Sequence, residues 1–295
     1  MTPIIFDGQR FASEREEKLK LKIDRNRLKP RIGSLVFQED PASLKYTQLK
    51  KRAAVRVGIE FSVEDVSISE SLPILQEKIR TFCARNDFHG VMIQKPMKEL
   101  WNDYFKNNSE RMDQWWSHLV GCIDADKDVD CLTSTNLDKV YSKKWKILPA
   151  TVKAVLTVLN WAYHNHKIFS NPLEGFDLHG VSAIVIGRSE IVGRPLAEVL
   201  AQYGATTNLY GSDLDFQRLK QADLVVSATG KPGIITGDLL KEGVVALDVG
   251  APDADFEFES VAQKASFVTP VPNGIGPVTV VSLLENLVSV MERGV

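Results

Sequence analysis

Long apolar runs and a strong charge of either sign are both missing from this sequence of 295 residues. No apolar stretch approaches the roughly 20 residues that span a bilayer, and the opening M-T-P-I-I-F-D lacks the basic and apolar regions of a signal peptide. The net charge of -2 and the pI of about 6.2 offer no basic surface for nucleic acid or anionic lipid. We therefore expect neither a membrane nor a nucleic-acid partner.

Cysteine is scarce, and metal-binding patterns are missing. The three cysteines, Cys83, Cys122 and Cys131, are odd in number and widely spaced, which favours a reduced, cytoplasmic protein. The histidines show no metal-ligand spacing. Four aspartates lie between Asp124 and Asp130, but the glycine and distal glutamate of a calcium loop are lacking. We expect no metal here, and interpret the acidic run as a polar loop with one buried, working aspartate.

What the sequence does contain is a strand, a tight turn and a helix start in succession. The apolar run 183–186 predicts a strand buried on both faces, Gly187 predicts the turn, and Gly193 with Pro195 opens a helix. In doubly wound α/β proteins a pyrophosphate binds at such a junction, because free helical N–H groups and the helix dipole favour an anion there.

The spacing of the two glycines is not the usual G-x-G-x-x-G, and taken alone it fits an ordinary strand-to-helix turn equally well. Arg188 and Ser189 favour the phosphate interpretation, because they add a cation and a hydroxyl where a phosphate would arrive.

Strand-like and helix-like segments alternate from residue 183 to residue 249, which predicts a parallel sheet wound with helices. The chain is long enough for two modest domains. We therefore predict an α/β protein of two α/β domains. Residues 1–148 form the first, together with a C-terminal helix, 276–295, that packs back on it. Residues 149–275 form the second, a Rossmann-like dinucleotide-binding domain.

The first predicted domain carries three polar side chains of interest. The stretch 43–58 predicts a helix capped by Ser43, on which Tyr46 and Lys50, four residues apart, share a face. A solvated lysine beside a tyrosine would look the same. Gln94 closes the strand 90–94, at the end where open parallel sheets bind ligands, although a glutamine there also suits an ordinary loop. The aromatic-rich segment 97–120 predicts a helical excursion that covers apolar surface or a subunit contact.

Seven motifs in order resemble the bifunctional methylenetetrahydrofolate dehydrogenase/methenyltetrahydrofolate cyclohydrolase family over nearly the whole chain. Each is weak alone, but their order is highly specific. They are S-x-x-Y-x-x-x-K (43–50), I-Q-x-P (93–96), K-D-V-D (127–130), G-R-S-x-I-V-G-R-P (187–195), A-D-L-V-V-S-A-T-G-K-P-G (222–233), D-V-G (248–250) and T-P-V-P-N-G-I-G-P-V-T (269–279).

The resemblance implies two reactions, with tetrahydrofolate one-carbon derivatives as substrates. A hydride passes from 5,10-methylenetetrahydrofolate to a nicotinamide, and water then opens the methenyl product to 10-formyltetrahydrofolate. By resemblance Lys50 is the central group, Tyr46 stacks or hydrogen-bonds beside it, Gln94 orients it and Asp130 grips the pterin. The family further implies a cytoplasmic homodimer in one-carbon metabolism and purine biosynthesis.

The resemblance also implies a cofactor site. The residues that it assigns to cofactor binding are Gly187, Arg188, Ser189, Ser212 and Ala251. Arg188 with Ser212 favours a 2′-phosphate and therefore NADP. Asp213 favours NAD as the alternative, because a carboxylate near that strand end repels a phosphate and accepts from a free 2′-hydroxyl.

The chain departs from the family pattern at several places. Cys131 stands where the family has a glycine beside the pterin-binding carboxylate, and the crossover 149–154 lacks a usual proline and glycine. Two other functions therefore stay open: a dehydrogenase without cyclohydrolase activity, and a catalytically silent folate or nucleotide binder. Retention of the Lys50–Gln94 pair argues against a binder, which has no need of it.

Overall fold

The chain forms two compact units in a computed structural model that describes residues 2–106, 111–163 and 176–292. The three-stranded unit comprises Glu14–Asp138 and Leu283–Val295, and the six-stranded unit comprises Met1–Ser13 and Lys139–Ser282. Every strand pairing in both sheets is parallel. The predicted α/β class with two α/β domains is confirmed.

The elements are numbered in chain order. The strands are β1 Ile4–Ile5, β2 Arg31–Phe37, β3 Glu60–Val66, β4 Gly90–Ile93, β5 Ser182–Ile186, β6 Thr206–Tyr210, β7 Leu224–Ser227, β8 Val244–Asp248 and β9 Ala265–Val268. The helices are α1 Gly8–Arg25, α2 Pro41–Arg56, α3 Leu72–Cys83, α4 Lys98–Tyr104, α5 Met112–Val120, α6 Ser134–Tyr141, α7 Ala150–Tyr163, α8 Gly193–Gln202, α9 Phe216–Leu219, α10 Phe258–Lys264 and α11 Ile275–Met291, with a short 3-10 helix at Gly237–Leu239.

The sheet of the three-stranded unit has the order β3-β2-β4, with β2 in the centre. Six of the seven β2 residues are buried, as a strand covered on both faces requires. Gln94 follows β4 directly, and its backbone N–H donates to Leu35 O at 2.8 Å. Gln94 therefore extends the ladder at the carboxyl end of the sheet.

The sheet of the six-stranded unit has the order β1-β9-β8-β7-β5-β6. The chain runs from β5 to β6 on one side and then returns to β7 on the other side of β5. Such a reversal opens a crevice outside the carboxyl ends of the strands, where doubly wound sheets bind dinucleotides. The predicted Rossmann-like architecture is confirmed.

The sequence alone does not fully show to which unit each end of the chain belongs. The contact-based units divide at 138 and 282 instead of 148 and 275. Residues 1–13 belong to the six-stranded unit, because β1 pairs with β9. From Leu283 onward α11 belongs to the three-stranded unit, where Asn286 Nδ2 donates to Val129 O at 3.0 Å. The part of α11 from Leu283 onward thus packs on the three-stranded unit, whereas Ile275–Ser282 belongs to the six-stranded unit.

The aromatic-rich segment forms α4 and α5 on the three-stranded unit, with residues 107–110 outside the described ranges. Trp115 is 1% exposed and its ring lies 5.5 Å from that of Phe37. Trp101 is also buried and stacks on Phe105. The three tryptophans of this segment, Trp101, Trp115 and Trp116, are therefore part of the unit's own core, whereas Tyr104 is exposed.

None of the helices in the described ranges is both long and apolar enough to cross a membrane.

Candidate functional site

Lys50 is a buried cation in the three-stranded unit. Lys50 is only 4% exposed, and its Nζ donates to Gln94 Oε1 at 2.8 Å. The same nitrogen lies 3.7 Å from Met92 Sδ and 4.8 Å from the centroid of the Tyr46 ring. A solvated lysine is thereby excluded, and the three side chains that the sequence singled out on α2 and β4 lie together.

Helix α2 points Lys50 inward because the residues of its buried face recur at helical spacing: Ser43, Thr47, Lys50, Ala53 and Ala54. The predicted cap at Ser43 is wrong: the N-cap is Asp40, whose Oδ1 accepts from Ala42 N and Ser43 N at 3.1 Å each. Proline at the first helical position, Pro41, fits this earlier start.

Asp40 also ties the Lys50 helix to the loop that follows Gln94. Its Oδ2 accepts from Met97 N at 2.7 Å and from Ser43 Oγ at 2.8 Å, and Asp40 is 2% exposed. The Ser43 hydroxyl lies 3.2 Å from Lys95 O. One buried carboxylate therefore fixes the distance between the two elements that carry Lys50 and Gln94. The sequence analysis missed Asp40, although an aspartate followed by proline at a helix start was the available signal.

Burial lowers the pKa of Lys50 to about 8, opposed by the nearby Asp130, which favours the charged amine. Burial and Asp130 together raise the pKa of the Tyr46 phenol above its ordinary value. At neutral pH Lys50 thus exchanges protons readily while Tyr46 remains a donor.

Because its pKa is lowered in the folded state, the charged Lys50 decreases the free energy of unfolding. We therefore expect Lys50→Met to stabilise the protein at pH 7. The unfolded chain holds the Lys50 proton up to about pH 10.5 and the folded chain only up to about pH 8, so wild-type stability rises with pH between these values. The shift corresponds to about 3 kcal/mol at pH 7, from which the lost bond to Gln94 subtracts about 1 kcal/mol. Urea unfolding at pH 7 and pH 10 measures the difference; a gap that widens at pH 10 would contradict the shift.

The fully buried aspartate of the acidic run 124–130 is Asp128 and not Asp130. Asp128 is 0% exposed and accepts from Leu132 N, Thr133 N and Asn136 Nδ2 at 2.9–3.0 Å, whereas Asp130 is half-buried. Asp128 therefore shapes the loop, and Asp130 is partly exposed on it. Within the described residues no group of three or more His, Cys, Asp or Glu side chains is placed to hold a metal ion.

Cys131 adopts a backbone conformation that favours glycine. Its φ is +55°, in the left-handed region, and its side chain is fully buried. A non-glycine residue there is strained by about 1–2 kcal/mol. The backbone bonds from Leu132 and Thr133 to Asp128 hold the turn in place. These bonds therefore hold the turn that carries Cys131, next to Asp130.

In the six-stranded unit the chain turns at Gly187, whose φ is +115°. A Cβ there would lie 2.3 Å from Ala228 O. A Cβ on Gly193, the first residue of α8, would lie 1.7 Å from Gly187 O. Both glycines are thus required for the strand, the turn and the helix to approach one another, and we call the turn from Gly187 to Gly193 the glycine cradle.

Ser189 and Arg188 lie in this cradle. Ser189 Oγ accepts from Val192 N and Gly193 N at 3.2 Å each, so that its hydroxyl hydrogen faces away from the helix start. Arg188 is exposed and reaches the end of β6. The cradle therefore offers a hydroxyl donor and a cation to an anion.

The end of β6 joins this cradle through an ion pair. Arg188 Nη2 lies 2.6 Å from Asp213 Oδ2, and Asp213 Oδ1 accepts from Gly211 N at 2.9 Å. These two interactions, that with Gly211 first, lower the pKa of the Asp213 carboxyl. Ser212 is exposed beside the pair.

Two further buried carboxylates were not singled out by the sequence analysis. Asp248 is the last residue of β8, and Asp255 lies in the loop that follows it. Asp248 accepts from Gly250 N and Phe256 N at 2.8 Å each. Asp255 accepts from Ser227 Oγ and Thr229 N. Burial raises the pKa of Asp248 to about 6, and Asp255 adds to the rise. Neither residue carries a signal in the sequence beyond the D-V-G motif at Asp248.

Comparison with known proteins agrees with this geometry. Residues 6–130 match the family described as tetrahydrofolate dehydrogenase/cyclohydrolase, catalytic domain, and residues 168–295 match its NAD(P)-binding domain. The bifunctional protein FolD of Caldanaerobacter subterraneus is 33% identical, over 100% of this chain and 99% of that protein.

Solved structures are also similar to this chain over nearly its whole length. The bifunctional FolD dehydrogenase/cyclohydrolase of Campylobacter jejuni has a TM-score of 0.79 at 28% identity, covering 98% of this chain and 99% of that one. The bifunctional enzyme of Thermoplasma acidophilum has a TM-score of 0.80 at 26% identity, covering 98% of each chain. With its buried lysine, its glycine cradle and both domains matched, the chain belongs to the tetrahydrofolate dehydrogenase/cyclohydrolase family.

Proposed function

We propose that the protein oxidises 5,10-methylenetetrahydrofolate to the methenyl form with NADP and hydrolyses the methenyl form to 10-formyltetrahydrofolate. The observation that carries the proposal is the buried Lys50 amine, held at 2.8 Å by Gln94 Oε1 and with its pKa lowered to about 8. Such an amine suits proton exchange near neutral pH, which the hydrolytic step requires.

In the hydrolytic step Lys50 accepts a proton. Water adds to the one-carbon centre of the methenyl cation, and the neutral amine takes the proton that the water releases. The carbon–nitrogen bond to N5 then breaks as the adduct's hydroxyl proton is transferred to N5, which leaves the 10-formyl group on N10. Gln94 orients the amine without adding a charge, because an amide oxygen accepts from either form of the lysine. Tyr46, kept protonated by its raised pKa, donates beside it.

Asp130 is the proposed contact to the pterin. A carboxylate complements the paired N–H donors of a pterin edge, and charge-assisted bonds of this kind are strong. Asp130 is half-buried, so one face is open to a ligand, while Asp128 holds the loop beneath it. The three-stranded unit is therefore the proposed folate-binding catalytic domain.

The dehydrogenase step places a nicotinamide cofactor on the six-stranded unit, and the bound cofactor supplies the hydride acceptor. Hydride transfer requires no acid, only that the donor carbon lies over the nicotinamide. We assign Gly187, Arg188 and Ser189 to the phosphates and Ser212 to the adenosine ribose. Ala251, in the loop after β8, contacts the cofactor. Arg188 with Ser212 favours NADP over NAD.

Asp213 weakens this preference, because it already neutralises Arg188 and a 2′-phosphate must displace it. We expect Asp213→Asn to raise the ratio of kcat/KM for NADP to that for NAD by about tenfold, in line with one charged contact freed for phosphate. Initial rates with each cofactor measure the ratio. Asp177→Asn, at an exposed carboxylate paired with His179, is the matched control. An unchanged ratio in Asp213→Asn would remove Asp213 from cofactor selection.

The test of the proposed function is an assay of the purified protein with 5,10-methylenetetrahydrofolate and either cofactor, following reduced nicotinamide by absorbance. Methenyltetrahydrofolate supplied separately tests hydrolysis against the uncatalysed rate. Turnover in both assays supports the bifunctional proposal. Reduced cofactor without hydrolysis would leave a monofunctional dehydrogenase, and no turnover of either substrate would leave a binder.

We further infer a homodimer in the cytoplasm that contributes one-carbon units to purine biosynthesis. The supports are the family resemblance and the reduced state that an odd number of widely spaced cysteines suggests. Light scattering at micromolar concentration distinguishes a monomer of 32.9 kDa from a dimer.

A further inference from the structure

Asp255 lies where three loops of the six-stranded unit meet. A Cβ on Gly187, after β5, would touch Ala228 O after β7, at 2.3 Å. A Cβ on Gly230, in the same β7 loop, would lie 3.7 Å from Ala251 O after β8. The loops that follow β5, β7 and β8 are therefore in mutual contact at the carboxyl ends of three adjacent strands.

Asp255 holds the β7 loop to the β8 loop through three hydrogen bonds. Its Oδ2 accepts from Ser227 Oγ and Thr229 N, each at 2.7 Å, and its Oδ1 accepts from Lys231 N at 3.0 Å. The residue is 0% exposed. Two backbone N–H groups two residues apart thus converge on one carboxylate, which fixes the path of the β7 loop.

Asp248, the last residue of β8, fixes the path of the loop that follows β8. It accepts from Gly250 N and Phe256 N, on either side of the loop. A Cβ on Gly250 would lie 2.8 Å from Asp255 Oδ1 and 2.9 Å from Asp248 Oδ1. The two carboxylates therefore enclose Gly250, and only a glycine fits between them.

The position of these loops in the sheet indicates which half of a dinucleotide they serve. The chain reverses direction at β5, and a dinucleotide lies across the crevice at that point. Arg188 and Asp213 are on the β6 side, which takes the adenosine half. The β7 and β8 loops are on the opposite side, which takes the nicotinamide half.

We propose that Asp255 is a positioning residue for the nicotinamide half of the cofactor, acting through the β7 and β8 loops. This inference rests on the proposed use of a nicotinamide dinucleotide. An asparagine can keep the two bonds of Oδ2 but turns an N–H group toward Lys231 N, so the β7 loop must shift. Removing the Ser227 hydroxyl alone leaves both backbone bonds in place.

The test compares Asp255→Asn and Ser227→Ala with Asp253→Asn, which changes an exposed carboxylate of the same loop. We expect the KM and Kd for NADP to rise at least tenfold in Asp255→Asn and two- to threefold in Ser227→Ala. Binding of 2′,5′-ADP, which lacks the nicotinamide half, and hydrolysis of methenyltetrahydrofolate, which uses no cofactor, stay within twofold of wild type.

An Asp255→Asn protein that binds NADP as tightly as Asp253→Asn overturns the proposal. If Asp255→Asn loses NADP binding, 2′,5′-ADP binding and hydrolysis in parallel, Asp255 serves general stability and the proposal is also overturned. An unaltered NADP Kd in Ser227→Ala would likewise count against the proposal. Failure of the proposed function is distinguishable, because calorimetric titration with NADP and 2′,5′-ADP needs no folate turnover.

Discussion

Lys50→Met is expected to lower the rate of methenyltetrahydrofolate hydrolysis by about a thousandfold, within the range that a positioned general base supplies. Methionine fills the buried site but can neither accept the proton of the attacking water nor donate to Gln94 Oε1, which Lys50 Nζ contacts at 2.8 Å. Hydride transfer requires no proton acceptor, so the dehydrogenase rate falls much less. Initial rates for the two half-reactions, measured on one preparation, give both numbers.

The matched control is Lys51→Met, one residue further along α2, where the lysine is exposed. The same change in charge and size there should leave hydrolysis within twofold of wild type. Equal hydrolysis rates in Lys50→Met and Lys51→Met would refute a role for the buried amine. If Lys50→Met lost both reactions to the same extent, its role would be in folate binding.

The second large effect is expected at the start of α8, where Gly193→Ala should weaken NADP binding at least a hundredfold. The new Cβ would lie 1.7 Å from Gly187 O, so either the turn or the helix start must move. The same movement displaces the loop after β7, because Gly187 packs against Ala228 O. Calorimetric titration with NADP measures the loss, and hydrolysis of the methenyl substrate reports whether the three-stranded unit remains folded.

Gly276→Ala is the control for this variant, since a Cβ there has open space around it. It makes the same change in the same unit and should leave the NADP Kd within twofold. A Gly193→Ala protein with wild-type NADP affinity would contradict the assignment of the glycine cradle to the cofactor.

The sequence predicted the elements whose signals are local. The apolar runs of β4 and β5 and the helical spacing of Tyr46 and Lys50 placed these strands and α2 nearly where they occur. Helix α2 begins earlier than expected, at Pro41, because Asp40 and Ser43 are both good capping residues and only the fold decides between them. Local chemistry predicts that a helix starts nearby, not which cap is used.

The residues that the sequence could not reveal act across long separations. Asp40 meets Met97, Asp255 meets Ser227, and the two residues of β1 pair with β9 near the other end of the chain. An aspartate in a polar loop looks the same in a sequence whether it is solvated or buried against backbone N–H groups. For this reason the fully buried Asp128 was missed, whereas Asp130 was singled out by the family resemblance alone.

The change from glycine to Cys131 shows how the structure alters an interpretation. From the sequence, a side chain beside Asp130 suggested a poorer fit for the folate ring. The residue has φ +55° and is fully buried, so its side chain lies in the interior of the unit. A cysteine in this conformation costs backbone strain, and its side chain is not exposed beside Asp130.

The most direct test of two reactions on one chain is product analysis after a single incubation with 5,10-methylenetetrahydrofolate and NADP. The sample is separated at neutral pH, and the one-carbon products are counted against reduced cofactor. We expect wild type to yield 10-formyltetrahydrofolate in step with reduced cofactor, and Lys50→Met to yield reduced cofactor with accumulated methenyl product. Wild type that forms no reduced cofactor, or that accumulates the methenyl product as Lys50→Met does, would contradict the bifunctional proposal.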